Sequence, residues 1–152
     1  MNTLPEPPNA EYERVVRTHF GRQALVGTIG AWLVEVGPGR VLVELPYSAR
    51  IAQQPGHFHG AVVGALGELA GVSAALTLVP SGHEVLSIEY KVNFLMPACG
   101  LLLRANANVV GALRGLVTTR MEVSVLGGPA DGLCAVIQAT MQQVPQIVPQ
   151  PG

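Results

Sequence analysis

The chain has 152 residues and a formal net charge of −1: length enough for one domain with a real core, and no basic surplus for a nucleic-acid face. Charged residues make up only 12% of it and hydrophobic ones 49%, so a surface partly covered by further copies of the chain is expected. Cys99 and Cys134 form neither a metal spacing nor a secreted disulfide framework, and read as two buried thiols in a reducing compartment.

Met1 to Pro8 is a proline-rich tail. It carries prolines and acids where a secretory signal needs a basic start and an apolar run, so the chain is expected to be cytoplasmic. Asn9 is placed to cap a helix running to about Phe20, with Tyr12, Val15, Val16, His19 and Phe20 near one face and Gly21 ending it. Leu25 to Leu45 reads as a β-hairpin: Ile29 to Val36 and Val41 to Leu45 are rich in β-formers, and GPGR between them is turn chemistry. A looser stretch, PYSARIAQQPGHF, then leads into an apolar helix over about Gly60 to Leu78, closed by Pro80, Ser81 and Gly82.

Four strands follow. Val85 to Phe94 alternates Leu86, Ile88, Tyr90, Val92 and Phe94 against Ser87, Glu89, Lys91 and Asn93. Leu101 to Val110, Leu116 to Val125 and Leu133 to Gln143 alternate in the same way, as an antiparallel sheet with one buried face requires. The linkers MPACG, VGALRG and GGPADG are short enough for a meander. One domain over residues 9–144 is expected, flanked by proline-rich tails over 1–8 and 145–152.

The central helix holds the most informative residue. Between Arg50 and Glu84 the only formal charge is Glu68, inside HGAVVGALGELAGVSAALTLVP. A carboxylate in apolar surroundings is costly unless paired or protonated, which makes it a candidate for chemistry. The segment is long enough to span a membrane, but it is built of Gly and Ala, and an acid at mid-bilayer costs about 2.5–3.5 kcal/mol. A helix apolar on nearly all sides must be buried on nearly all sides. One sheet covers only part of it, so a second subunit is expected over the rest.

The run Gln53-Gln54-Pro55-Gly56-His57-Phe58-His59-Gly60-Ala61, followed by Glu68, Ala70 and Gly71, resembles the hotdog-fold thioesterases of the phenylacetate-pathway (PaaI-like) type. Their pattern is Asn or Gln, a His-Gly-Gly six residues on, and an Asp or Glu nine residues after that His; Gln53, His59 and Glu68 fall on these spacings. VLSIEYKVNFLMPACG and VVGALRG are similar to later strands of the family, and the likeness covers about Leu25 to Val144. The second Gly is Ala61 here. Where some members carry a hydroxyl one turn after the acid, this chain has Val72, with Ser73 next to it.

The resemblance implies an α+β hotdog fold, a long helix wrapped by an antiparallel sheet, in a homodimer or homotetramer that hydrolyses acyl-CoA thioesters without a cofactor. The Gly60 N–H, at a helix N-terminus, would polarise the thioester carbonyl. Glu68 would be general base or nucleophile, and Gln53 would position water or the thioester. Eight residues of helix separate Gly60 from Glu68 by about 12 Å, so the substrate would lie between Gly60 of one subunit and Glu68 of its neighbour. His59 is a candidate catalytic residue whose plainer role is to cap the helix or hold the loop, and His57 is a solvated loop residue. Ser73, Phe94 and Arg114 are candidates for substrate binding, and Arg104 and Arg120 stand with Arg114 as possible contacts for coenzyme A phosphates. Arg50 is a possible structural partner for Glu68. His57, His59 and Glu68 lack metal-ligand spacing, so no metal is expected. Two alternatives remain: a non-catalytic acyl-CoA binding module, and a hotdog hydroxyacyl dehydratase, whose PGHFPG loop PGHFHG resembles.

Overall fold

The computed structural model describes residues 6–146, so most of both proline-rich tails lies outside the described residues. The first helix, α1, spans Tyr12–Arg22. Asn9 caps the turn before it, its side chain accepting the Glu11 N–H at 3.0 Å. Gly21 does not end the helix; the chain turns extended at Gln23. Val16 and Phe20 are its buried residues.

A second short helix, α2 (Ala24–Ile29), replaces the expected start of the hairpin. Its β-branched residues read as strand, but Val26 is buried in the core as a helical residue, and tertiary packing overrides weak propensity. Gly30 terminates it in the left-handed region at φ 82°, returning its N–H to the Val26 carbonyl. The hairpin proper is β1 (Trp32–Gly37) and β2 (Arg40–Pro46), and Val41, Val43 and Leu45 of β2 are fully buried. The loose stretch that follows contains a small ribbon, β3 (Ala52–Gln54) with β4 (His57–Phe58), turned at Gly56. Tyr47 holds this ribbon: its Oη accepts the Gly56 N–H at 2.9 Å, and its ring meets Phe58 edge-on.

The central helix, α3, spans Gly60–Leu76, two residues short of the expected end. Twelve of its 17 residues are buried, so it needs cover on most sides. The cover is a six-stranded antiparallel sheet of β1, β2, β5 (His83–Phe94), β6 (Leu102–Leu113), β7 (Leu116–Leu126) and β8 (Gly132–Pro145), in the order β1-β2-β6-β7-β8-β5. The alternation read in β6, β7 and β8 holds: Leu103, Ala105, Ala107, Met121, Val123, Ile137, Ala139 and Met141 are buried. β8 runs on through Pro145, and the Gln146 N–H bonds the Gly82 carbonyl at 2.9 Å.

The alternation read in β5 does not hold throughout. A bulge between Ser87 and Glu89 shifts its phase. Ser87, Tyr90, Val92 and Phe94 stand opposite Met141, Ala139, Ile137 and Ala135 of β8, which line the helix side. Leu86 leaves that face and Ile88 is the bulged residue; both are exposed. β5 is also a sheet edge, twelve residues long and rich in exposed apolar side chains, the kind of edge that soluble chains cover.

One close backbone contact anchors the segment after β5. Gly100 is buried, and a Cβ there would come within 2.6 Å of the Leu126 carbonyl oxygen. We expect Gly100→Ala to cost about 1–3 kcal/mol and to lower the melting temperature by several degrees in a thermal scan. An unchanged midpoint would show that the segment can move aside.

Candidate active site

The line Gly60, Gly64, Glu68 runs along one side of α3 at four-residue spacing and faces β5. A Cβ at Gly60 would meet the Phe94 ring at 3.3 Å, and one at Gly64 would meet Val92 and Tyr90. Glu68 meets Ser87, whose Oγ–H donates to Glu68 Oε1 at 2.6 Å. Glu68 is half-buried, and its partner is this hydroxyl rather than Arg50. The β5 bulge makes the contact, since regular alternation would point Ser87 away from the helix.

A cleft of about 580 Å³ opens at the N-terminus of α3. Gln53, His57, Gly60 and Phe94 line it, with apolar walls from Phe58, Val63, Leu95, Met96, Pro97 and Ala98. No Asp, Glu, Lys or Arg is among its lining residues. The fold thus brings Gln53, Gly60 and Phe94 together, and leaves Glu68 two helical turns away, outside the cleft.

His59 is the N-cap of α3. Its Nδ1 accepts the Ala61 N–H at 3.0 Å, and its carbonyl accepts from Val62 and Val63. The Gly60 N–H is then left without an acceptor among the described residues, pointing where a helix N-terminus favours negative charge. His57 lines the cleft, with Nδ1 3.1 Å from the Pro55 carbonyl.

The remaining candidates lie elsewhere. Ser73 is fully buried and its hydroxyl donates to the Leu69 carbonyl of its own helix at 2.7 Å, so it is already satisfied. Arg114 sits in the tight β6–β7 turn at φ 52°, followed by Gly115 at φ 79°, at the sheet end away from Gly60. Arg104 is tied to Glu44 and Arg120 to Glu122 on the outer face of the sheet. Cys134 lines the cleft, but burial pushes its thiol up to about 11, and it donates to the Val123 carbonyl; it is not a thiolate at neutral pH. Among the described residues no group of three or more His, Cys, Asp or Glu is arranged to hold a metal.

Ser87 escaped the sequence reading because period-two alternation assigns it to the polar face. The signal that finds it is the register of β5 on β8, which the sequence does not display. We expect Ser87→Ala to lower kcat about tenfold with little change in KM, the size of one charge-assisted hydrogen bond. An unchanged kcat would make the contact incidental.

This arrangement, a long helix wrapped by a curved antiparallel sheet, is the hotdog fold. The thioesterase superfamily model matches residues 55–129. A thioesterase family protein of Silicibacter pomeroyi is 32% identical and superposes with a TM-score of 0.85, covering 89% of this chain and 99% of that one. The chain belongs to the thioesterase superfamily, whose class of activity is thioester hydrolysis. The Escherichia coli PaaI protein, from the phenylacetic acid degradation operon, superposes with a TM-score of 0.78 over 90% of this chain and 96% of its own; at 15% identity that likeness is one of fold. A curated Saccharolobus solfataricus protein named as an esterase is 32% identical over 65 residues, which span 43% of this chain and 46% of that protein. The chain thus matches about half the length of that relative. No helix among the described residues is long and apolar enough to cross a membrane.

Proposed function

We propose that the chain hydrolyses acyl-CoA thioesters at a site shared by two copies, with Gly60 and Gln53 from one and Glu68 and Ser87 from the other. The observation that carries this reading is the separation within one chain: the cleft holds Gly60 and Gln53 but not Glu68. Gly64 lies midway between Gly60 and Glu68, opposite Tyr90 and Val92 of the uncovered edge strand. If two β5 edges pair about a two-fold axis near Gly64, each Gly60 is brought against the opposing Glu68. The same pairing covers the apolar residues that β5 exposes.

In such a site the thioester carbonyl oxygen accepts the Gly60 N–H. Glu68 either takes a proton from water as that water attacks the carbonyl carbon, or attacks the carbon itself to give an anhydride that water then opens. Negative charge gathers on the carbonyl oxygen against Gly60, where helix-end donors are worth most. Collapse breaks the C–S bond; the CoA thiolate takes up a proton and the acid departs. Gln53 orients the attacking water, and Ser87 holds the carboxylate. The apolar, uncharged cleft fits an uncharged acyl group or the pantetheine arm. His59 serves by capping. The family match favours hydrolysis over dehydration or simple binding. A cytoplasmic location accords with the two free cysteines.

Complementation tests the shared site. Glu68→Gln and Gly60→Pro are each expected to be nearly inactive alone. Unfolded and refolded together, they regain activity, because a mixed dimer holds one site with both native residues. Random pairing gives roughly a quarter of the wild-type sites. Activity no higher than that of the separate variants would sink the two-copy arrangement.

A further inference from the structure

A second cavity, of about 480 Å³, lies under α1, further along α3 and β5 from Glu68. Its α3 wall is Leu76, eight residues and about 12 Å beyond Glu68. Its β5 wall is His83 and Glu84, just before Ser87. From α1 come Arg14, His19 and Arg22. Arg14 is paired with Glu11 at 3.0 Å, but Arg22 makes no ion pair among the described residues. Glu84 is the only carboxylate among the lining residues, against two guanidinium groups. The Gln23 amide lies 3.5 Å from His19 Nδ1; in the tautomer that accepts this hydrogen bond, Nε2–H is the ring's donor. Burial lowers the pKa of His19 although Glu84 and Glu68 act to raise it, so the ring is neutral at pH 7.

We propose that this cavity binds a phosphate of the coenzyme A moiety, its terminal phosphomonoester, with the Arg22 guanidinium as the main contact. A guanidinium with no ion pair among the described residues, beside a neutral imidazole donor, suits a phosphate. The place fits as well: the cavity begins about 12 Å along α3 from Glu68, within reach of the pantetheine arm of a thioester whose carbonyl lies at Glu68. The proposal rests on the acyl-CoA reading above.

The test does not depend on hydrolysis. Adenosine 3′,5′-bisphosphate, which carries no thioester, is titrated calorimetrically into wild type, Arg22→Ala and Arg22→Lys. Affinity is expected to fall about tenfold or more in Arg22→Ala and to recover in part in Arg22→Lys. Kinetically, Arg22→Ala should raise KM about tenfold for a CoA thioester and much less for the matching dephospho-CoA thioester. No binding by wild type, or equal binding by Arg22→Ala, would overturn the proposal. Equal competition by inorganic phosphate would also overturn it, assigning the cavity to free phosphate. Bisphosphate binding that depends on Arg22, in a protein that hydrolyses no thioester, would uphold this site and sink the hydrolytic reading alone.

Discussion

Glu68→Gln is expected to lower kcat for acyl-CoA hydrolysis by about 10²–10⁴-fold, the range lost with a positioned acid–base group. The substitution suits the question because the amide keeps the side chain's volume, and its oxygen can still accept the Ser87 hydroxyl now bonded at 2.6 Å. The fold and the contact survive while the basic, nucleophilic oxygen is lost. Thiol release from short, medium, long and aryl acyl-CoAs, measured beside wild type, checks it and names the acyl class. A folded variant with full activity would remove Glu68 from the chemistry.

Gly60→Pro is expected to cost about 10²–10³-fold in kcat, as for the loss of one oxyanion donor. Proline at the first helical position removes the N–H, yet its fixed φ suits a helix start. His59 already has the extended backbone that a following proline requires, at φ −66° and ψ 136°. The His59 cap acts on Ala61, one residue further on, and is left in place. The helix should therefore form, with a melting temperature near that of wild type, while the carbonyl loses its donor. Wild-type turnover in this variant would show that the Gly60 N–H is not the oxyanion contact.

Residues with a local signature were legible in the sequence. α3 announced itself by an apolar run, with Glu68 as its one charge, bounded by His59 and Pro80, and β6 to β8 by clean alternation that burial bears out. Gln53 and Gly60 were singled out through the family resemblance, and the structure places both in one cleft. Features set by distant parts of the chain were not legible. α2 is helical because Val26 packs into a core assembled from other elements, against its own β-branched composition. The bulge in β5 follows from pairing with β8 some fifty residues away, and with it went Ser87 and the true face of Leu86 and Ile88. Ser73 was a local guess, answered by a hydrogen bond within its own helix turn.

The strand order also sets a schedule for the nascent chain. Leu45 of β2 pairs with Leu103 of β6, fifty-eight residues later, and β5 finds its neighbour only in β8, the last strand. During translation the most apolar segment of the protein therefore emerges long before most of the surface that will cover it. Pairings so distant in sequence form slowly, and exposed apolar helix in the meantime invites aggregation. Residues 132–145 close the sheet between β7 and β5, so a ribosome that stalls before them releases a chain unable to finish folding.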